Sequence, residues 1–266
     1  MAAPDPIRFV DAETGGDLRL QLELQLDTAD FTMLRQFRYT DPRHEKPFTV
    51  AADLTKFHTD LASIPTYFLW LVPTGPATLP AFILHDALVL DAGEATTHIG
   101  PDVCREEADR ILRDGLANLG TPLIRRWLIW TAVILGTAWK ALRPRWYWPT
   151  LVVATVATIA ALGIIATLDV LDVWDVLPWM GERSTGAELA GGALFALIIP
   201  LALSVLWWRL WKAGAILGVA LAFLLHVTVA VFLLYQLYRL AEWLSSAREG
   251  KGPSIDRNLE KSASAG

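Results

Sequence analysis

Hydrophobic and polar positions follow three rhythms along this chain. Between Leu18 and Leu26 a leucine occupies every second position, alternating with Arg19, Gln21, Glu23 and Gln25. A period of two is that of a half-buried strand. Phe31–Tyr39 and Phe48–Leu54 predict further strands, separated by the turn at Asp41-Pro42. The rhythm then becomes helical. Pro80 opens an apolar helix to about Leu90, and Pro101, at a first helical position, opens another over about Asp102–Leu119, which Gly120 ends. Pro122 leads into a third, about Leu123–Leu142. Strands first and helices after predict a soluble α+β domain, a few antiparallel strands then helices, over residues 1–126.

In the second half polar positions almost vanish. Thr150–Leu168, Leu189–Trp208 and Ala213–Tyr238 carry no Asp, Glu, Lys or Arg. A helix needs roughly 20 apolar residues to cross a bilayer core of about 30 Å. These stretches predict an all-α transmembrane region of about three helices over 146–243, with a disordered polar tail at 244–266. Trp146, Trp148, Trp174, Trp179, Trp207, Trp208, Trp211, Tyr235, Tyr238 and Trp243 stand at the ends of the stretches, where an interfacial aromatic belt belongs. The apolar run Trp127–Trp139 is too short to span comfortably. It predicts an amphipathic or interfacial helix within 127–145, packed on the soluble domain or lying beside the first span.

Charge adds an orientation. The first 126 residues hold 19 Asp/Glu against 12 Lys/Arg, a net of −7, and the remainder 9 against 11, a net of +2. An acidic soluble domain argues against nucleic acid as a partner, since phosphate neutralisation needs Lys and Arg. Lys140, Arg143 and Arg145 precede the first span, Arg209 and Lys212 lie between the second and third, and Asp169, Asp172, Asp175 and Glu182 follow the first. The positive-inside rule then puts the soluble domain in the cytoplasm of a multi-pass cell-membrane protein, with the acidic loop outside. The tail, with Arg239, Arg248, Lys251, Arg257 and Lys261, runs against that pattern if there are three crossings. The N-terminus lacks the charged and apolar regions of a signal peptide, so the first span is expected to direct insertion. One cysteine, Cys104, excludes an internal disulfide framework.

Within the spans, Gly214 and Gly218 form a GxxxG that permits close helix approach and predicts homo-oligomer contacts. His226 is the one ionisable side chain well inside a span, and a neutral, hydrogen-bonded imidazole is the expectation for it. Asp169, Asp172 and Asp175 would form one acidic stripe if their helix continued. Lipid is the partner that the composition implies.

The candidate chemistry lies in the soluble half. The helix Pro80–Leu90 is apolar on every side except at His85 and Asp86, and buried polar groups must find partners. Adjacent helical residues diverge by about 100°, so these two cannot face one point. Asp109 lies at the edge of the apolar stripe of the next helix, where it can point back. Asp60 and Ser63 follow the strand near His58. As an enzyme, the domain would be a hydrolase with Asp60, His85, Asp86 and Asp109 around a divalent metal. A variant uses Ser63 as nucleophile and His85 as base, although no G-x-S-x-G surrounds Ser63. As a structural set, Asp60 and Ser63 cap a local turn while Asp86 and Asp109 hold His85 and pin two helices.

Thr59-Asp60-Leu61-Ala62-Ser63-Ile64-Pro65, then His85-Asp86, then Glu107-Ala108-Asp109, in that order and spacing, resemble a small phage and prophage domain of unknown function, family 1353. The likeness extends over about residues 7–140. It implies a strand-rich start, helices bearing H-D and E-A-D, and phage-associated ancestry, but no established activity. The expected function is a membrane-anchored binding or assembly module, with the metal-dependent hydrolase as the alternative.

Overall fold

The computed structural model describes residues 8–25, 30–59, 75–89, 97–180 and 184–249, with the side chains of 226 and 246–249 excepted. The chain divides into two compact units. One is Trp127–Val231, and the other is the polypeptide up to Arg126 together with the segment from Phe232 onward.

The N-terminal unit carries two antiparallel sheets. The first orders β1 (Phe9–Asp11), β4 (Phe37–Tyr39), β5 (Phe48–Val50) and β7 (His98–Ile99) side by side; the second orders β2 (Leu22–Gln25), β3 (Asp30–Met33) and β6 (His58–Thr59). In the first sheet Phe9 faces Tyr39, and Tyr39 faces Phe48 across the next ladder. These rings, with Phe37 and Val50, are fully buried. Helix α1 (Leu79–Leu88) and helix α2 (Arg105–Asn118) complete the core with Ala81, Ile83, Leu84, Ile111, Leu112 and Leu116. At Gly115 of α2 a Cβ would stand 3.1 Å from the Phe9 ring and 3.5 Å from Ala81 Cβ, so α2 sits tight on both β1 and α1.

Four boundaries differ from the sequence pattern. Phe31–Tyr39 is two strands in different sheets, because residues 34–36 turn away: Arg35 pairs with Asp11, and Gln36 Nε2 donates to the Ala51 carbonyl at 2.6 Å. The strand from Phe48 stops at Val50, three residues before Asp53 takes the Thr55 N–H and hydroxyl into a local turn. Of the alternating segment Leu18–Leu26, the regular strand is Leu22–Gln25. Helix α2 starts at Arg105 rather than at Pro101, whose carbonyl accepts from His98 Nε2 at 3.1 Å. Its end follows the expectation: Gly120 has φ +80°, open to glycine, and closes the helix with its N–H on the Ala117 carbonyl.

Helices α4 (Tyr147–Val170), α5 (Thr185–Ser204) and α6 (Trp211–Glu249) form the apolar region. Among the described residues, the stretches long and apolar enough to cross a membrane are Tyr147–Val170, Thr185–Leu225 and Val227–Ser245. A 3-10 turn at Val205–Leu210 divides the second between α5 and α6, with Trp208 at φ 47° and ψ −119°. That turn buries Trp207 completely and leaves Trp208 82% exposed. Helices α5 and α6 fold back on each other as a hairpin: a Cβ at Gly214 would meet the Trp207 ring at 2.4 Å, and one at Gly218 would meet Pro200 Cβ at 2.7 Å. The GxxxG face is thus packed against residues of its own chain.

Helix α3 (Leu123–Lys140) enters the second unit at Trp127. Its residues Trp130, Ile134 and Ala138 share a core with Trp148, Leu151, Trp207, Leu210 and Ala213. These contacts pack α3 against the start of α4 and the turn between α5 and α6.

Candidate functional site

The three motifs of the N-terminal unit are joined by two hydrogen bonds. Thr59 Oγ1 donates to Asp86 Oδ2 at 2.7 Å, tying strand β6 to helix α1. His85 Nε2 donates to Asp109 Oδ1 at 2.7 Å, tying α1 to α2. The helical turn of about 100° between neighbours sends His85 one way and Asp86 the other. Since α1 buries seven of its ten residues, these two polar groups must be bonded inside the fold or leave costly vacancies.

Asp109 is fully buried, and His85 has a side-chain exposure of 13%. Donation from Nε2 fixes the tautomer of a neutral ring and leaves Nδ1 as its basic atom. Asp109 Oδ2 is shut off from solvent without a hydrogen-bond partner among the described residues. An unused acceptor on a buried carboxylate is rare, and among the described residues it leaves Asp109 Oδ2 with capacity to take a further ligand.

A second network lies on the next face of α2. Arg110 reaches Asp41 through both terminal nitrogens, at 3.1 and 3.0 Å, Glu107 at 2.6 Å and Asp114 at 2.8 Å. His44 Nε2 meets the same Glu107 at 3.3 Å. Burial pushes the Asp41 carboxyl up, but the Arg110 guanidinium and the Arg43 N–H outweigh it and hold the group below its usual range. Arg110 likewise lowers Glu107. Sequence reasoning passed over this network, although Glu107, Arg110 and Asp114 stand at the i, i+3 and i+4 spacing of paired helical charges. Its long-range member, Asp41, had only a turn to mark it. His98, also passed over, is buried with Nδ1 3.0 Å from the Ala87 carbonyl, joining the end of α1 to β7.

Of the predicted site, the structure brings His85 and Asp109 together and turns Asp86 toward Thr59. Asp60 and Ser63 lie outside the described residues, as does the His226 side chain. Among the described residues no three His, Cys, Asp or Glu side chains converge to hold a metal ion. The E-A-D motif therefore divides its tasks: Glu107 joins the arginine network, Ala108 is packed in the core, and Asp109 holds His85.

In the membrane unit the acidic stripe does not form. Helix α4 ends at Val170, and buried Asp169 turns back to accept the N–H groups of Val176 and Leu177 through Oδ2, at 3.0 and 2.9 Å. Asp172, with φ 52°, lies in the loop beyond. A cleft of about 410 Å³ among α4, the loop, α5 and α6 is lined by residues such as Ile159, Ala166, Trp179, Phe195 and Pro200. Its lining has no ionisable side chain, and its hydroxyl, on Thr167, donates to the Gly163 carbonyl. The cleft can accommodate apolar chains.

Residues 31–133 match the family described as a protein of unknown function (DUF1353). All three motifs fall inside that match, which ends before the first span. No curated protein and no solved structure matches the chain.

Proposed function

We propose that the protein is a membrane-anchored binding or assembly module whose globular unit stands on the cytoplasmic face of a cell membrane. What supports this most is the destination of its polar bonds. Thr59–Asp86, His85–Asp109 and the Arg110 network each join one element of the fold to another, as groups do whose task is to hold a surface in shape. The phage-type ancestry implied by the family resemblance belongs to the same proposal.

A second reading has one observation in its favour. The spare oxygen of Asp109, beside an imidazole whose Nδ1 is left basic, suits a hydrolase in which these groups, with Asp60, polarise a metal-bound or free water. Thermal melts and elemental analysis of the detergent-solubilised full chain separate the two. The assembly reading expects His85→Ala to strand a buried carboxylate, costing about 3 kcal/mol, with Asp109→Asn milder because an amide oxygen still accepts. It also expects metal-free protein to melt unchanged. If His85→Ala, Asp109→Asn and Asp60→Asn all melt with the wild type, and a stoichiometric metal copurifies, the hydrolase reading replaces it.

A further inference from the structure

Among the described residues, the basic side chains of the membrane unit come from two corners more than 60 positions apart, and the fold gathers them at one end. Tyr147 Oη donates to the Leu206 carbonyl at 2.7 Å, and Trp207 Nε1 donates to Thr155 Oγ1 at 3.2 Å. Trp148, Trp207, Leu210 and Ala213 pack in one core beneath them. These contacts fix the corner between α3 and α4, with Lys140, Arg143 and Arg145, against the α5–α6 turn, with Arg209 and Lys212. All five cations are exposed. No Asp or Glu occurs from Gly115 to Leu168 or from Leu189 to Ala241, so the sequence around both loops supplies no local counter-charge.

Large aromatic rings stand among these charges. Trp146 is 70% exposed, Trp208 82% and Trp211 50%, while Lys212 lies 5.7 Å from the centre of the Trp127 ring. Exposed indoles beside cations suit the boundary between headgroups and acyl chains, where the ring stays in the apolar layer and the charge reaches the phosphate. The loop after α4 has the opposite character: Asp172 and Asp175 are exposed there, no Lys or Arg occurs between Val170 and Met180, and Arg183 beyond it follows Glu182.

We propose that this end of the membrane unit, Lys140, Arg143, Arg145, Arg209 and Lys212 framed by Trp146, Trp208 and Trp211, is a recognition face for anionic phospholipid headgroups. Charge complementarity selects the occupant, because a phosphodiester headgroup without a compensating amine brings a negative charge to a face that carries five exposed cations. Helix α3 would then lie along the interface, presenting its apolar side to the bundle and Lys140 to the headgroups. The inference rests on the membrane-embedded reading of this unit.

The test reconstitutes the full chain in vesicles of equal phosphatidylglycerol and phosphatidylcholine, re-extracts it in mild detergent and counts the co-purifying lipids by mass spectrometry. Phosphatidylglycerol should be retained over phosphatidylcholine by about five-fold or more. Washing in about 1 M salt, where the screening length falls to about 3 Å, should remove most of that preference. The variant combining Lys140→Gln, Arg143→Gln, Arg145→Gln, Arg209→Gln and Lys212→Gln should lose it, while Lys at the three arginine positions should keep it. Equal retention of the two lipids by the wild type, or a preference indifferent to salt, overturns the proposal without needing any variant. So does displacement of the bound lipid by inorganic phosphate, or a dimer whose loss in the variant leaves lipid preference unchanged. A chain that fails to enter vesicles at all would remove the membrane reading itself, a distinct outcome from entry without preference.

Discussion

Arg110 is where the N-terminal unit concentrates its charge. Its guanidinium is nearly buried, yet three carboxylates, on Asp41, Glu107 and Asp114, surround it. Removing one of three partners is milder than stranding a buried ion, so Asp41→Asn should cost about 2 kcal/mol rather than the 3–5 of a fully broken pair. Asp41 and Glu107 are both held below their ordinary values of 3.8 and 4.5. In that interval the unfolded chain binds more protons than the folded one. The stabilisation is therefore complete above the ordinary values and is lost as pH falls through the lowered ones. Melts of the full chain should show a steady Tm from neutrality to about pH 5 and a decline below about pH 4, with a shallower decline in Asp41→Asn. A Tm that rises on acidification would contradict the assignment. At this scale the sequence showed the buried helix and its two polar residues, because an all-apolar helix makes His85 and Asp86 conspicuous. It could not show that Asp86 pairs with Thr59, a contact set by how strand β6 lies against α1.

Among the elements, the α5–α6 hairpin makes the sharpest demand on side-chain size. Gly214 and Gly218 leave room for Trp207 and Pro200, which a Cβ would approach to 2.4 and 2.7 Å. Gly214→Ala and Gly218→Ala should each destabilise the detergent-solubilised protein by about 1–3 kcal/mol through overpacking. Gly136→Ala, on α3 with nothing within 4 Å of the added carbon, should be neutral or slightly stabilising. Size-exclusion recovery after heating ranks the three, and equal behaviour would mean that the hairpin is not packed as described. The helices were legible because Pro80 and Pro122 stand at the starts of α1 and α3 and Gly120 closes α2, although α2 itself begins four residues after Pro101. The strands were less so. Phe31–Tyr39 looks continuous by its apolar positions, and only the partners of Arg35 and Gln36, remote in sequence, break it into two sheets. The close pairing of small residues at Gly214 and Gly218 was also legible, but its partner within the same chain was not.

For the whole molecule, the division into a polar α+β unit and an apolar helical one was plain from hydropathy alone, since no tertiary contact is needed to recognise stretches that water cannot solvate. Helix α6 goes further than the stretch suggested. Its 39 residues extend about 58 Å at 1.5 Å per residue, well beyond a core of about 30 Å. The proposed placement of the globular unit in the cytoplasm requires α4 to cross the membrane and put the acidic loop after it on the opposite side. Its most direct test is labelling of intact cells with a membrane-impermeant maleimide, using the exposed Cys104 and, in a Cys104→Ser background, Asp175→Cys. The account predicts that the reagent modifies the cysteine at position 175 in intact cells and reaches Cys104 only after permeabilisation. Equal labelling of the two positions in intact cells, or protection of both, would contradict it.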